Sequence, residues 1–384
     1  EQCRFPLRSF VHQQQSRVGG LIAKLRVGVL FGGRSGEHEI SLRSAQFVLD
    51  SLDHTRYDVH PIGISKTGEW LLEADPMPLL ENAVESDNTP LQVALRLPIT
   101  QPDLAHIPRL NAKFDVIFPV MHGPYGEDGT IQGLLELADI AYVGSGVVGS
   151  ALGMDKALQK SVLSNHGIPV TPWHMFTRHA LNNNPAAIVS FVEEELGYPV
   201  FVKPCNLGSS VGITKVSNAA DLPPALKLAA TYDRRLIIER AVPNAREIEI
   251  SVLGNEVPET SICGEIIPGE EFYSYNAKYA DDRSREVIPA DIPNALSESI
   301  SDMAAKAFVA IDAAGFARID FIVNGKTMDV VLNEINTIPG FTSISQFPKL
   351  WAASGVNNRT LVHRLIDLAI ERHAERRQNV TTHS

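Results

Sequence analysis

Apolar positions fall first into short runs and then into helical spacing. Residues 25–31, LRVGVLF, form a mostly apolar run ending in Gly32-Gly33, and the following EISLRSAQFVLDSL places its apolar residues at helical intervals. This predicts a strand, a turn and a helix. YDVHPIGI, FDVIFPVM and IAYVG read as further strands, with TIQGLLELA as a helix between the last two. Such alternation predicts an open, mostly parallel sheet over residues 25–148. Within it, residues 76–108 are rich in Pro, Asn and acidic side chains, which predicts a surface excursion.

The next run, SALGMDKALQKSVLSNHG, predicts a single helix closing at Gly167, and IPVTPW opens a new unit. A helix over 185–196, a strand, a helix over 223–230 and the strand RLIIER complete a small α+β unit that covers 149–239. The remainder, 240–384, holds the strands EIEISVLG and GEII, a polar segment over 270–289 and a helix over 297–314. ARIDFIV, DVVLNEIN and a final helix from about Thr360 follow. Residues 1–24 are expected to be a poorly ordered extension before the first strand. The fold class is therefore α/β, with α+β character in the later parts.

Composition narrows the function. A chain of 384 residues with 44% hydrophobic content fills two or three cores. A formal charge of −11 argues against a general surface for nucleic acid or anionic membrane and favours small-molecule chemistry. Cys3, Cys205 and Cys263 are odd in number and widely separated, which fits reduced thiols in a cytoplasm and neither a disulfide framework nor a zinc site. No apolar run reaches the length of a bilayer span, and the first residues lack the continuous apolar stretch of a signal peptide.

Candidate chemistry begins at FVKPCNLGSSVGITKV, residues 201–216. GSSVG satisfies the outline of a nucleophile elbow, G-x-S-x-G, which requires a helix after the turn. Here ITKV follows, and its β-branched residues favour a strand, so Lys203 and the Gly/Ser loop read as a hairpin able to fold over phosphates. The loop also fails the P-loop pattern, because Lys203 precedes its glycines. A second hairpin is signalled by Asn324-Gly325 between ARIDFIV and DVVLNEIN. Strand alternation places Arg318 with Asp320, and Glu334 with Asn336. The two pairs share a face only with an odd-length connection or a bulge. Two carboxylates and an amide would then form an oxygen shell suited to Mg²⁺ bridging phosphates, although Arg318 neutralising Asp320 on an exposed face is the simpler alternative.

The motifs LFGGRSGEHEISL, HGPYGEDGTIQG, GSGVVGSALGMDK, VKPCNLGSSVG, FYSYNAKY, ARIDF and NEINTIPGFTSIS occur in this order. Over residues 25–376 the chain resembles the ATP-grasp ligases, and among them the D-alanine:D-alanine ligase family. The resemblance implies a three-domain ATP-grasp architecture with an N-terminal Rossmann-like open parallel sheet. It implies ligation of two D-alanine molecules through a D-alanyl phosphate, with ATP and two Mg²⁺ (or Mn²⁺) ions, for peptidoglycan synthesis in a bacterial cytoplasm, by a homodimer. Glu37, Ser209 and Tyr279 match the anchor of the first substrate, with His122 nearby. Lys156, Lys203, Ser209, Ser210 and Lys278 match groups around the phosphates. Glu239, Val242, Glu247 and Asn333 match the rest of the nucleotide site, with one residue more between Glu239 and Glu247 than in the family. Asp320, Glu334 and Asn336 match the metal ligands, Arg318 and the Gly340 N–H the oxyanion donors, and Ser343 and Ser345 the holders of the second carboxylate. Residues 270–289, with Tyr273 and Tyr275, match a lid.

Three alternatives follow. D-Lactate or D-serine in place of the second D-alanine is the nearest. A NAD-dependent oxidoreductase would need a G-x-G-x-x-G fingerprint, which GGRSGEHEIS replaces. A nucleotide-binding module without turnover would need neither Glu37 nor Ser345.

Overall fold

The computed structural model describes residues 17–18, 21–71, 76–86, 110–267 and 285–380. Strands Leu25–Gly32, Tyr57–Ile64, Val116–Val120 and Ala141–Tyr142 are mutually parallel, and Trp70–Leu71 adds an antiparallel edge to complete a five-stranded sheet. This is the open parallel sheet expected from the alternation of runs. Val27, Val29 and Phe31 point to one face and Leu30 to the other, so both faces are covered. Ile131 and Leu135 of helix Thr130–Leu137 cover the second face. The first packs on helix His38–Ser51 and, from the far end of the chain, on Phe341, Phe347, Leu361 and Leu365. One core therefore joins the first sheet to the C-terminal helices Gln346–Ala353 and Asn358–Arg376.

The second sheet is four-stranded and antiparallel, with strands Thr214–Val216, Val200–Pro204, Arg235–Arg240 and Trp173–Thr177 in that order. Its apolar face rests on helix Leu222–Tyr232 and on Pro185–Phe191 with its π-helical continuation Val192–Leu196. The hairpin around Gly208–Gly212 is present as expected, and strand Thr214–Val216 follows the turn directly in place of a helix. In the six-stranded third sheet, Ala245–Gly254 pairs with Gly315–Asn324, which pairs with Val330–Asn336. Helix Asn294–Ala310 covers the apolar side, where Ile319, Phe321 and Val323 lie buried.

Four expectations change. The predicted helix through residues 150–167 is two helices, Val147–Met154 and Lys156–Asn165, broken at an extended Asp155. The Asp155 side chain accepts from Leu158 N at 3.0 Å and caps the second helix, while Arg235 grips its other oxygen. Lys156 N donates to Cys205 O at 3.0 Å, a bond to a distant strand that helical periodicity cannot reveal. Second, the predicted excursion begins as helix Pro76–Ser86, which buries Met77 and Leu80. A methyl group on Gly63 would stand 2.6 Å from Pro76 Cβ, so helix and sheet meet closely there. Third, within the supposed extension Arg17–Val18 pairs antiparallel with Leu21–Ile22. Fourth, Arg285–Val287, assigned to the lid, is an edge strand of the third sheet. Residues 270–284 of the predicted lid, with Tyr273, Tyr275, Lys278 and Tyr279, lie outside the described residues, as does 87–109.

Because Asp155 both caps a helix and pairs with Arg235, Asp155→Ala is expected to lower the unfolding free energy by about 1–2 kcal/mol. Asp155→Asn, which keeps the cap and drops the charge, should lose less. Urea denaturation of both variants checks this, and equal losses would assign the effect to the ion pair alone.

Candidate active site

The site forms where the first helix, the second hairpin's strands and the glycine-serine loop converge. Glu37 directly precedes helix His38–Ser51, 9% exposed, with its N–H bonded to Ser35 Oγ at 3.2 Å. Ser209 Oγ donates to Glu37 Oε1 across 172 residues of chain. A Cβ on Gly123, whose φ is +75°, would stand 2.7 Å from Glu37 Oε2, so only glycine leaves room for this carboxylate. Ser209 and Ser210 both adopt left-handed backbone, at φ of 51° and 57°. Non-glycine residues enter that region when their surroundings hold them there.

His122 is buried close by, but both ring nitrogens are engaged inside the protein. Nδ1 is 3.0 Å from Ile338 O, and Nε2 is 3.0 Å from Ser44 Oγ. Since a carbonyl only accepts, Nδ1 carries the proton and Ser44 donates to Nε2. Burial pushes His122 below the ordinary histidine value, which Glu37 opposes, so a neutral ring fits this pattern. His122 thereby links the first sheet to the Ile338–Phe341 turn, where Phe341 N donates to the same Ser44 Oγ at 3.3 Å.

Lys156 and Lys203 approach the loop from two elements. Lys156 Nζ donates to Leu207 O at 2.8 Å and lies 3.5 Å from Glu334 Oε2. Lys203 Nζ donates to Glu239 Oε2 at 2.7 Å, and buried Lys160 stands 3.5 Å from Glu239 Oε1. Burial works against the charge on Glu239, yet the two lysines outweigh it and hold the carboxyl below its usual range. Glu239 Oε1 is buried without a hydrogen-bond donor. Val242 and Glu247 sit half-buried nearby in sequence, flanking the start of strand Ala245–Gly254.

The charged face of the third sheet depends on a bulge. Phe321 faces Leu332, but Asp320 faces Glu334 and Arg318 faces Asn336, so Asn333 is the inserted residue. The two pairs expected from the sequence therefore share one face. Arg318 binds Asp320 with two parallel bonds of 2.7 Å and lies 3.3 Å from Glu249 Oε2. Asn336 Nδ2 donates to Asp320 Oδ2 at 3.0 Å. The neutralising pair weighed as an alternative is thus present, on a largely buried face and not an exposed one. Among the described residues no three His, Cys, Asp or Glu side chains close into a metal cage. Asp320 and Glu334 supply only carboxylate oxygens, the donor type of a hard divalent ion whose other ligands are phosphate and water.

At the far end, Ser345 Oγ bonds Thr342 N at 3.1 Å and Thr342 Oγ1 at 2.8 Å, forming a tight loop before helix Gln346–Ala353. Gly340 closes it, since a Cβ there would lie 2.9 Å from Ser345 Oγ, and Ser343 is exposed.

Three charged residues of the site escaped the sequence reading. Glu127 accepts from Gly123 N at 2.8 Å, and burial, followed by the charge of Glu37, raises its pKa well above the usual carboxyl value. Its signal was its place in HGPYGEDG. Lys160 lies one helical turn beyond Lys156, and Glu249 lies opposite Asp320 in the adjoining strand. The spacing of MDKALQK and EIEIS carried both, but burial and pairing give them their meaning.

Known proteins resemble both halves of the chain. Models described as D-ala D-ala ligase N-terminus and C-terminus match residues 26–145 and 162–367. A D-alanine–D-alanine ligase of Thermoanaerobacter sp. (strain X514) is 50% identical over 92% of this chain and 98% of its own. One from Natranaerobius thermophilus is 46% identical over 94% and 99%. Among solved structures, the D-alanine-D-alanine ligase from Coxiella burnetii aligns with a TM-score of 0.74 at 35% identity, covering 92% of this chain and 96% of its own. VanG D-Ala:D-Ser ligase from Enterococcus faecalis aligns at 0.76 and 34%, covering 90% and 100%. Such similarity over both halves shows that the chain belongs to the D-alanine–D-alanine ligase family of ATP-dependent, ADP-forming ligases.

Proposed function

We propose that the enzyme joins two D-alanine molecules into D-alanyl-D-alanine, converting ATP to ADP and phosphate, for peptidoglycan assembly in a bacterial cytoplasm. The observation that carries this reading is the Ser209–Glu37 contact, which brings an amino-acid anchor and a phosphate-binding loop into one site. In the first step a carboxylate oxygen of one D-alanine attacks the γ-phosphorus and the bond to the ADP oxygen breaks, giving D-alanyl phosphate. Glu37 holds the α-ammonium group of that substrate, and Ser209, with Tyr279 of the lid, holds Glu37. Lys156, Lys203 and Lys278 offset charge on the phosphates, with Ser210 on the loop.

In the second step the free amine of another D-alanine attacks the acyl carbon. Arg318 and the Gly340 N–H stabilise the tetrahedral oxyanion, phosphate leaves, and the nitrogen loses a proton. Ser343 and Ser345 hold the second carboxylate. Glu239 and Val242 meet the adenine and Glu247 the ribose, with Asn333 beside Glu334. Asp320, Glu334 and Asn336 would hold two Mg²⁺ or Mn²⁺ ions, which when bound neutralise phosphate charge. His122 braces the turn before Gly340 through Ile338 O and Ser44. A three-domain division at 25–148, 149–239 and 240–384, and assembly as a homodimer, belong to the same reading. No helix among the described residues is long and apolar enough to cross a membrane.

Phosphate release coupled to ATP distinguishes the substrates. D-Alanine alone should drive turnover, L-alanine should not, and adding D-lactate or D-serine to limiting D-alanine should give little mixed product by mass spectrometry. Predominant D-alanyl-D-serine or D-alanyl-D-lactate would overturn the choice of second substrate. Separately, Arg318→Ala should reduce kcat by roughly 10²- to 10³-fold, the usual range for an oxyanion donor. A near-normal kcat in that variant would remove Arg318 from the chemical step.

A further inference from the structure

Lys160 touches no substrate in the chemistry above, yet it is among the most deeply buried charges in the protein. Its side chain is 1% exposed, on helix Lys156–Asn165. A buried ammonium requires compensation. Its Nζ lies 3.5 Å from Glu239 Oε1 and donates to Asn333 O at 3.3 Å. The other oxygen of Glu239 accepts from Lys203 at 2.7 Å. One carboxylate, 4% exposed, is therefore shared by two lysines.

The excess cation has a physical consequence. Lys203 is held by Glu239 in this structure, and any engagement of Lys203 with phosphate loosens that bond. Were Lys203 the sole partner, its departure would strand a buried carboxylate, one of the most unfavourable changes a protein interior can undergo. Lys160 stays behind when Lys203 moves, anchored by burial and by Asn333 O. Against the burial that disfavours its charge, Lys160 and Lys203 together hold the Glu239 carboxyl below its usual range.

We propose that Lys160 is a positioning residue that keeps Glu239 charge-compensated while Lys203 turns to the nucleotide phosphates, so that it sets ATP affinity without touching ATP. This rests on the assignment of Lys203 to the phosphates. The same lysine ties helix Lys156–Asn165 to Asn333, the inserted residue of the bulge, and so couples the phosphate side of the site to the metal-binding face.

The test is Lys160→Met, which keeps the volume and removes the charge. ATP binding is measured by isothermal titration calorimetry, the KM for D-alanine by phosphate release, and stability by thermal unfolding. The dissociation constant for ATP should rise on the order of tenfold, with the KM for D-alanine little changed. Restoring the charge as Lys160→Arg should recover most of the lost affinity. Unchanged ATP affinity in Lys160→Met would overturn the proposal, as would a loss that Lys160→Arg leaves intact. Should Lys160→Met fail to fold, Lys160→Gln, which keeps a donor for Asn333 O and drops the charge, decides. ATP binding about tenfold weaker with the KM for D-alanine little changed supports the proposal, whereas unchanged ATP affinity, or failure to fold, overturns it. Lys203→Met separates the two levels: if it leaves ATP affinity intact while unsubstituted enzyme binds ATP, the phosphate assignment itself falls.

Discussion

The insertion of Asn333 into the hairpin formed by Gly315–Asn324 and Val330–Asn336 is the constraint on which the reactive face depends. A strand alternates sides at each residue, so a one-residue shift sends every later side chain to the opposite face. Below the bulge, Phe321 faces Leu332 and both enter the core; above it, Asp320 faces Glu334. Without the insertion, Asp320 would lie opposite Asn333 and Arg318 opposite Ile335. The carboxylates would then point to different faces. The bulge lets Leu332 and Ile335 both remain buried while Glu334 and Asn336 join Arg318 and Asp320.

The charges on this face, on the second sheet and on helix Lys156–Asn165 are arranged as alternating partners. Arg318 lies between Asp320 and Glu249, Lys156 beside Glu334, and Glu239 between Lys160 and Lys203. In a low-dielectric setting each charge is stable because an opposite one lies within a few ångströms. In the proposed function, phosphate and a divalent ion would replace one set of partners with another instead of desolvating bare charges. Glu127 differs: burial, followed by the neighbouring charge of Glu37, raises its pKa well above the usual carboxyl value.

Much of this was legible in the sequence, for reasons that also mark where legibility ends. Local periodicity located the parallel sheet, the hairpin after Lys203 and the pair of strands carrying Arg318 and Glu334. Even the bulge had a trace, since VVLNEIN places its buried residues Leu332 and Ile335 three positions apart, which an unbroken strand cannot bury on one face. By contrast, the break at Asp155 lies inside a continuous helical pattern and arises from Arg235 and Cys205, both distant in sequence. Helix Pro76–Ser86 was obscured by proline and acidic residues that read as a loop, although Met77 and Leu80 supply its buried side. For His122, sequence suggested a substrate contact; the bonds to Ser44 and Ile338 are tertiary facts with no local signature.

Those tertiary bonds show how the parts of the site are held in common register. His122 extends from the end of a strand in the first sheet, Ser44 from the first helix, and Ile338 and Phe341 from the turn that follows strand Val330–Asn336. Phe341 packs against Phe118, Phe316 and Phe347, so the turn carrying Gly340 is fixed to the core shared by the first sheet and the C-terminal helices. Glu37, one residue before that first helix, inherits the same frame. The loop bearing Ser209 reaches this frame from the second sheet through backbone that only favourable contacts can hold in the left-handed region. Glu37 and the turn carrying Gly340 are thus held by the same helix and core, and the Ser209–Glu37 bond is where the loop of the second sheet meets them.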